Sequence, residues 1–284
     1  MLSVKVFDVD HGFCAAVETD DRHTVLIGCG YSFRNGFRPA RYVLNRCSRH
    51  LDCLVLPTYI EDHLVGFSDL KGHFFEHYFS IDYLIVNPSV NTNSIPELKT
   101  RNSLTGKALS SLDQVDCQRK EINQFIQWKN ASFAFFWNSY PAFLDLHNLS
   151  LVTFLSYQDI HMIFPGDLKV AGWQALLQNP AFCDRLRQVN IFITSKSGQE
   201  DGYCPEVFDY CQPDFVIISN HVHRQPPNSV LRQYERHAKG LRAFLGKRKV
   251  LTTRDVGTII IQQSEGKPLE INTQKHEVYQ YQAL

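Results

Sequence analysis

Three stretches of the chain place polar side chains directly after an apolar run: LVLPTYIEDHLVG (54–66), MIFPGDL (162–168) and IFITSKSGQEDGYCPE (191–206). The first carries Asp62 beside His63, the second ends on Asp167 and Leu168, and the third contains Lys196 and Ser197. Carboxylates and an imidazole gathered at strand ends are the groups that hold a divalent metal, and loops after buried strands are where sites are built. Taken singly, each stretch has a plainer reading. An Asp-His pair ahead of a helix is an N-cap with a surface imidazole, and Pro-Gly-Asp after a strand is a turn. His221 and His223 have the HxH spacing that puts two rings on one face of a strand, but the Arg-Gln-Pro-Pro that follows favours a loop. The eight cysteines are scattered without a CxxC pair, which reads as buried free thiols in a reducing compartment.

These groups need elements to position them. Short runs rich in β-branched and aromatic residues predict strands at Val4–Phe7, Ala15–Glu18, Thr24–Ile27, Cys53–Leu56 and Tyr83–Val86. A second series follows at Ser132–Phe136, Leu149–Tyr157, His161–Phe164, Ile191–Thr194, Phe215–Ser219, Val250–Thr252 and Thr258–Gln262. Helical stretches are expected at Pro39–Arg46, Glu61–Leu70, Gln118–Gln127, Val170–Leu177, Pro205–Cys211 and Ser229–Phe244. Strands clustered in both halves, each cluster followed by helices, predict an α/β protein with two sheets face to face and helices outside. Residues 1–265 read as a single domain. Segment 88–117 is polar and weakly periodic, a long loop or insertion, and 266–284 reads as a polar C-terminal tail.

The 284 residues carry 29 basic and 29 acidic side chains, and 44% are hydrophobic, so the chain can build a large core but is not coated for nucleic acid or anionic lipid. No run of about 18 apolar residues occurs and the N-terminus lacks a signal-peptide pattern, so a cytoplasmic protein without a membrane association is expected. The one strong charge run, VLRQYERHAKGLRAFLGKRK (230–249), spaces Leu231, Tyr234, Leu241 and Leu245 on one helical face. It reads as a solvated helix face. Nucleic acid is conceivable only through this segment, Arg232 to Lys249.

Taken in order, the motifs resemble the metallo-β-lactamase fold superfamily, specifically the hydrolase domain of ComEC-type competence proteins. FDVDHGFCAAVE resembles that branch's LDVGHGNCAVI, VLIGCG its ILIDCG, LVLPTYIEDHLVG its LTHxHxDHxGG, and HNLSLVTFLSY its NNxSLVLLLEY. MIFPGDL stands for LLTGD, FITSKSG for VPHHG, GYCPE for GYSPE, and TTRDVGTIII for the closing YRTDxxGTI. The resemblance spans nearly the whole chain and implies a four-layer αββα sandwich. In active members, histidines and carboxylates at the strand ends hold one or two zinc or manganese ions that turn a bound water into a nucleophile.

Most ligand positions depart from that pattern. Aligned on Asp62 and His63, the two preceding histidines fall on Thr58 and Ile60, and the HH pair falls on Lys196 and Ser197. The Asp of IDCG becomes Gly28, the Asn of GHGN becomes Phe13, and a late GHP becomes Arg224, Gln225 and Pro226. Asp62, His63 and Asp167 persist, His11 matches the loop histidine as a structural residue, and Lys196 is expected to bridge Asp62 and Asp167 in place of a metal. Three functions follow. The first is a pseudoenzyme without a cofactor, a binding or regulatory subunit for a protein partner, keeping a vestigial cleft of Thr58, Asp62, His63, Asp167, Lys196 and Ser197. The second is a one-metal phosphodiester hydrolase, with one Zn or Mn ion on Asp62, His63 and Asp167, and Lys196 stabilising the phosphate. The third is an anion sensor using Lys196 and Arg224.

Overall fold

A computed structural model describes residues 1–20, 22–46, 50–60, 63–64, 66–70, 80–91, 94, 97–98, 125–128, 130–220, 225–243, 246–274 and 278–280. In chain order the strands are β1 (Leu2–Val6), β2 (Ala15–Thr19), β3 (Thr24–Ile27), β4 (His50–Val55), β5 (Ser80–Ile85), β6 (Phe125–Trp128), β7 (Ala131–Trp137), β8 (Leu151–Tyr157) and β9 (Ile160–Phe164). They continue as β10 (Ile191–Ile193), β11 (Phe215–Ile218), β12 (Leu241–Ala243), β13 (Gly246–Arg248), β14 (Val250–Thr252), β15 (Ile259–Gln263), β16 (Glu270–Thr273) and β17 (Val278–Gln280). The helices are α1 (Pro39–Arg46), α2 (Val170–Leu176), α3 (Pro180–Leu186), α4 (Asn228–His237) and the single turn α5 (Thr253–Val256).

The strands form two mixed sheets, ordered β13-β12-β17-β16-β15-β1-β2-β3-β4-β5 and β14-β11-β10-β9-β8-β7-β6. Within them, β3, β4 and β5 run parallel in the first sheet and β9, β10, β11 and β14 in the second. Strand β7 shows why the sheets must stack. Its residues alternate faces, and both faces are apolar: Phe133 and Phe135 join the core between the sheets, while Ala134 and Phe136 join the core beneath the outer helices. The inner core interleaves Val4, Val6 and Ile261 of one sheet with Phe133, Leu155 and Met162 of the other. Outside, α1 lays Ala40 and Val43 on the first sheet, and α2, α3 and α4 lay Trp173, Phe182 and Tyr234 on the second. Burial of each such side chain is worth about 1.5–3 kcal/mol.

The twelve strands expected from sequence are present within a few residues. Other expectations need correction. The helix of 229–244 stops at His237: Ala238 turns extended, Gly240 takes φ +100°, and the Lys239 and Gly240 amides bond to the carbonyls of Pro213 and Asp214. Leu241 then enters the inner core from a strand rather than a helical stripe, so the basic run is divided between α4 and the β12–β13 hairpin. Of the expected 266–284 tail, the described residues 266–274 and 278–280 are ordered in the first sheet: β16 pairs with β15, β17 with β16, and Leu269 and Ile271 are buried. Residues 125–128 of the expected 118–127 helix are strand β6, paired with β7, and the rest of that helix lies outside the described residues. Helix α3 was not expected. Its start is marked by Asn179, whose side chain accepts the Ala181 amide, and by Pro180 in the first turn. Residues 205–209 form a short 3-10 turn. Most of 88–117 lies outside the described residues, but Val90 and Leu98 are buried in the outer core of the first sheet.

Gly28 closes β3 at φ +76°, and a Cβ there would stand 2.2 Å from the Phe13 carbonyl oxygen. A carboxylate at this position, as in the family pattern, has no room in this backbone. Gly28→Ala is expected to cost about 2–4 kcal/mol, measured by chemical denaturation; an unchanged midpoint would show that the β1–β2 loop yields freely.

Candidate functional site

Parallel strands deliver their C-terminal ends to one rim, where Pro57 and Thr58 follow β4, Pro165–Asp167 follow β9, Thr194–Ser197 follow β10 and Ser219 follows β11. Gly12 and Phe13, from the loop between β1 and β2, close the rim from the first sheet. Apart from Thr58 and Ser195, these residues, with His63, Phe164 and Ile193, surround a cavity of about 20 Å³. That is room for about one water molecule, against about 300 Å³ or more for a small-molecule pocket.

At its polar wall His63 Nε2 lies 3.2 Å from Asp167 Oδ2, both side chains largely buried. Burial alone would raise the Asp167 carboxyl. The positive potential and hydrogen bond of His63 outweigh it, joined by His147 and Lys196, and hold the carboxyl below its ordinary value. The Asp167 backbone is held as firmly as its side chain, because its amide donates to Ser150 Oγ at 3.0 Å. Ser150 is fully buried and sits at the end of an asparagine network. Asn148 Oδ1 accepts the amides of Lys169 and Gly172, Asn138 Nδ2 donates to the Asn148 and Gly172 carbonyls, and Asn87 Nδ2 donates to the carbonyls of Asn138 and Leu149. The sequence reading did not assign these residues a positioning role. Their signal was the Asn-Leu-Ser entry to β8, where polar residues precede a strand without a turn composition.

Lys196 is not where the sequence reading expected it. It does not bridge to Asp167; Nζ pairs with Asp201 at 2.5 Å. Lys196 and Ser197 both adopt left-handed backbone, φ +47° and +53°, and the chain then turns through Glu200–Gly202, which brings Asp201 back onto the ammonium. Ser197 lines the cavity. Thr58 is buried, with its hydroxyl facing the Ile60 amide at 3.4 Å, and Ile60 packs into the outer core of the first sheet. Phe13 presents its ring to Phe164, 6.0 Å between centroids. His11 stacks on Tyr31 and exchanges backbone bonds with it, bracing the loop. Asp62, His221, His223 and Arg224 lie outside the described residues. Six cysteines, among them Cys14, Cys29 and Cys53, are buried free thiols, while Cys47 and Cys117 lie outside the described residues.

The fold's usual metals were tested against these donors. Among the described residues the rim offers one imidazole and one carboxylate, already bonded to each other, beside an aromatic ring and an ammonium. Catalytic zinc needs three protein ligands. The described residues therefore do not fit a two-metal centre.

The His63–Asp167 contact has a pH signature. A carboxyl depressed on folding contributes stability that is complete above its ordinary value of 3.8 and is lost as pH falls through the folded value. Asp167→Asn is expected to lose about 1–3 kcal/mol at neutral pH, and progressively less as pH falls below 3.8. Parallel stability curves for the two proteins across that range would remove the contact from the energetics.

No protein-family model matches the chain, and no curated protein matches it by sequence. Solved structures do match. The metallo-β-lactamase fold protein YhfI from Bacillus subtilis aligns with a TM-score of 0.53 at 10% identity, covering 89% of this chain and 96% of that one. A variant of the β-hydroxylase CmlA aligns with a TM-score of 0.53 at 13% identity over 92% of this chain and 54% of its own. Agreement over such lengths at so low an identity is agreement of backbone architecture, and the architecture of this chain is the αββα metallo-β-lactamase fold.

Proposed function

We propose that this chain is a catalytically degenerate metallo-β-lactamase-like protein, related to the ComEC-type hydrolase branch, that acts as a binding or regulatory subunit of a protein complex. The observation that carries this reading is the narrow rim: His63 Nε2 and Asp167 Oδ2 pair across 3.2 Å, beside a cavity of about 20 Å³. A hydrolytic site needs an unfilled coordination position and space for a substrate around it. Here Phe13 occupies the approach from the first sheet, and Lys196, which lines the same cavity, is an ammonium paired with Asp201 and supplies no ligand. The anion-sensor reading is weakened by the same geometry, because Asp201 neutralises Lys196. What remains available for function is the outer surface. Among the described residues no helix is long and apolar enough to cross a membrane.

The test is turnover of bis(p-nitrophenyl) phosphate with added zinc or manganese. The expected result is a rate for the wild type equal to that of a His63→Ala, Asp167→Asn double variant, while both proteins retain the same partner when purified from the native host. A wild-type rate at least about a hundredfold above the double variant's would replace this reading with the one-metal phosphodiesterase on Asp62, His63 and Asp167.

A further inference from the structure

A second group of metal-type side chains lies at the opposite ends of the same parallel strands. β3, β4 and β5 begin at Thr24, His50 and Ser80, on the edge of the sheet away from the rim. There His50 Nε2 lies 3.2 Å from Asp82 Oδ2 and 3.8 Å from Asp52 Oδ1, and one donor atom from each of the three residues lies within 4.8 Å of the others. His23, from the turn before β3, places Nδ1 2.5 Å from the same Asp52 Oδ1. Donor atoms around a tetrahedral zinc sit about 3.3–3.6 Å apart, given bonds of about 2.0–2.2 Å. The His50–Asp82 separation of 3.2 Å is close to that range.

The surroundings are those of oriented ligands. His50 Nδ1 is bonded to Ser80 Oγ at 2.9 Å, which fixes the ring so that Nε2 faces the two carboxylates. The second oxygen of Asp52 accepts the Thr24 amide at 2.7 Å, which leaves Oδ1 for the cluster. The His23 ring lies parallel to Trp128 of β6, 5.8 Å between centroids and 12° between planes, so the imidazole is held from the second sheet as well. Asp52 is 10% exposed, whereas His23, His50 and Asp82 are 40–48% exposed, so the group is anchored from inside and open to a solvated ion. Two carboxylates and an imidazole nitrogen thus converge on one small volume, a donor set that a divalent cation can use.

We propose that His50, Asp52 and Asp82 form a divalent-cation site of the zinc class at the starts of β4 and β5, with His23 orienting Asp52 from the turn before β3. It is independent of the rim and of the function proposed for it. Ligand exchange there would tie the loop preceding β3 to the edge of the first sheet, a structural or regulatory metal rather than a catalytic one.

Cobalt(II) titrated into the EDTA-stripped full-length protein, followed by visible absorption and then displacement with zinc, tests this. The expected result is about one equivalent bound with a tetrahedral-type spectrum. His50→Ala and Asp82→Asn should each weaken binding at least about tenfold with unchanged far-ultraviolet circular dichroism. The His63→Ala, Asp167→Asn protein should bind as the wild type does. Absence of saturable binding, binding indifferent to His50→Ala and Asp82→Asn, or binding lost only in the His63→Ala, Asp167→Asn protein would each overturn the proposal. The last outcome would also count against the narrow rim, whereas the first two leave that reading untouched.

Discussion

The contact on which everything else rests is the dry interface between the two sheets. Interior side chains are close-packed, and two surfaces as apolar as β1 and β7 have one stable register against each other. That register brings β4 of one sheet alongside β9, β10 and β11 of the other with their C-terminal ends at a common edge. Polar residues far apart in sequence, His63 and Asp167 above all, become neighbours because the phenylalanines and leucines between the sheets leave no alternative.

At that edge the governing problem is the burial of a carboxylate. A charged Asp167 in low dielectric must find a counter-charge or give up its proton-free form. In the superfamily the motifs resemble, a metal ion supplies the counter-charge. Here the His63 imidazole is in contact with it, and Lys196 adds potential from a distance while its own ammonium is held by Asp201. The polar support beneath, Ser150 with Asn148, Asn138 and Asn87, keeps the loop after β9 in place through backbone bonds, and it does so without reference to what fills the rim. The loop's support is thus independent of any bound ion, and the binding-subunit proposal rests on that independence. The far ends of β3–β5 offer the contrasting case, with imidazoles and carboxylates grouped where the family motifs place none.

Much of this was legible in the residues. Period-two alternation and β-branched runs located the strands of both sheets, since a strand buried on both faces has no polar positions to disguise it. That Thr58, Ile60, Gly28 and Phe13 differ from the motifs they resemble could also be read directly, because a side chain's donor capacity is a property of its type. Three things escaped. The α4 periodicity ran on through Leu241 because an apolar residue in a strand has the same composition as one on a helix face, and only the bonds to Pro213 and Asp214 end the helix. The C-terminal residues looked like a polar tail because a strand such as β16 buries one face and leaves the other wet. The bridge expected of Lys196 failed because the left-handed turn at 196–197 folds Asp201 back onto it.

Composition and pattern thus determined the layers and the strand count in outline, both of which depend on residue type and local period. Tertiary structure alone decided which charges meet: His63 with Asp167, Lys196 with Asp201, and His50 with Asp52 and Asp82. Electrostatic contacts fall off over a few ångströms, and distances on that scale between residues tens to hundreds of positions apart are set by sheet stacking and register, which no local stretch of sequence encodes.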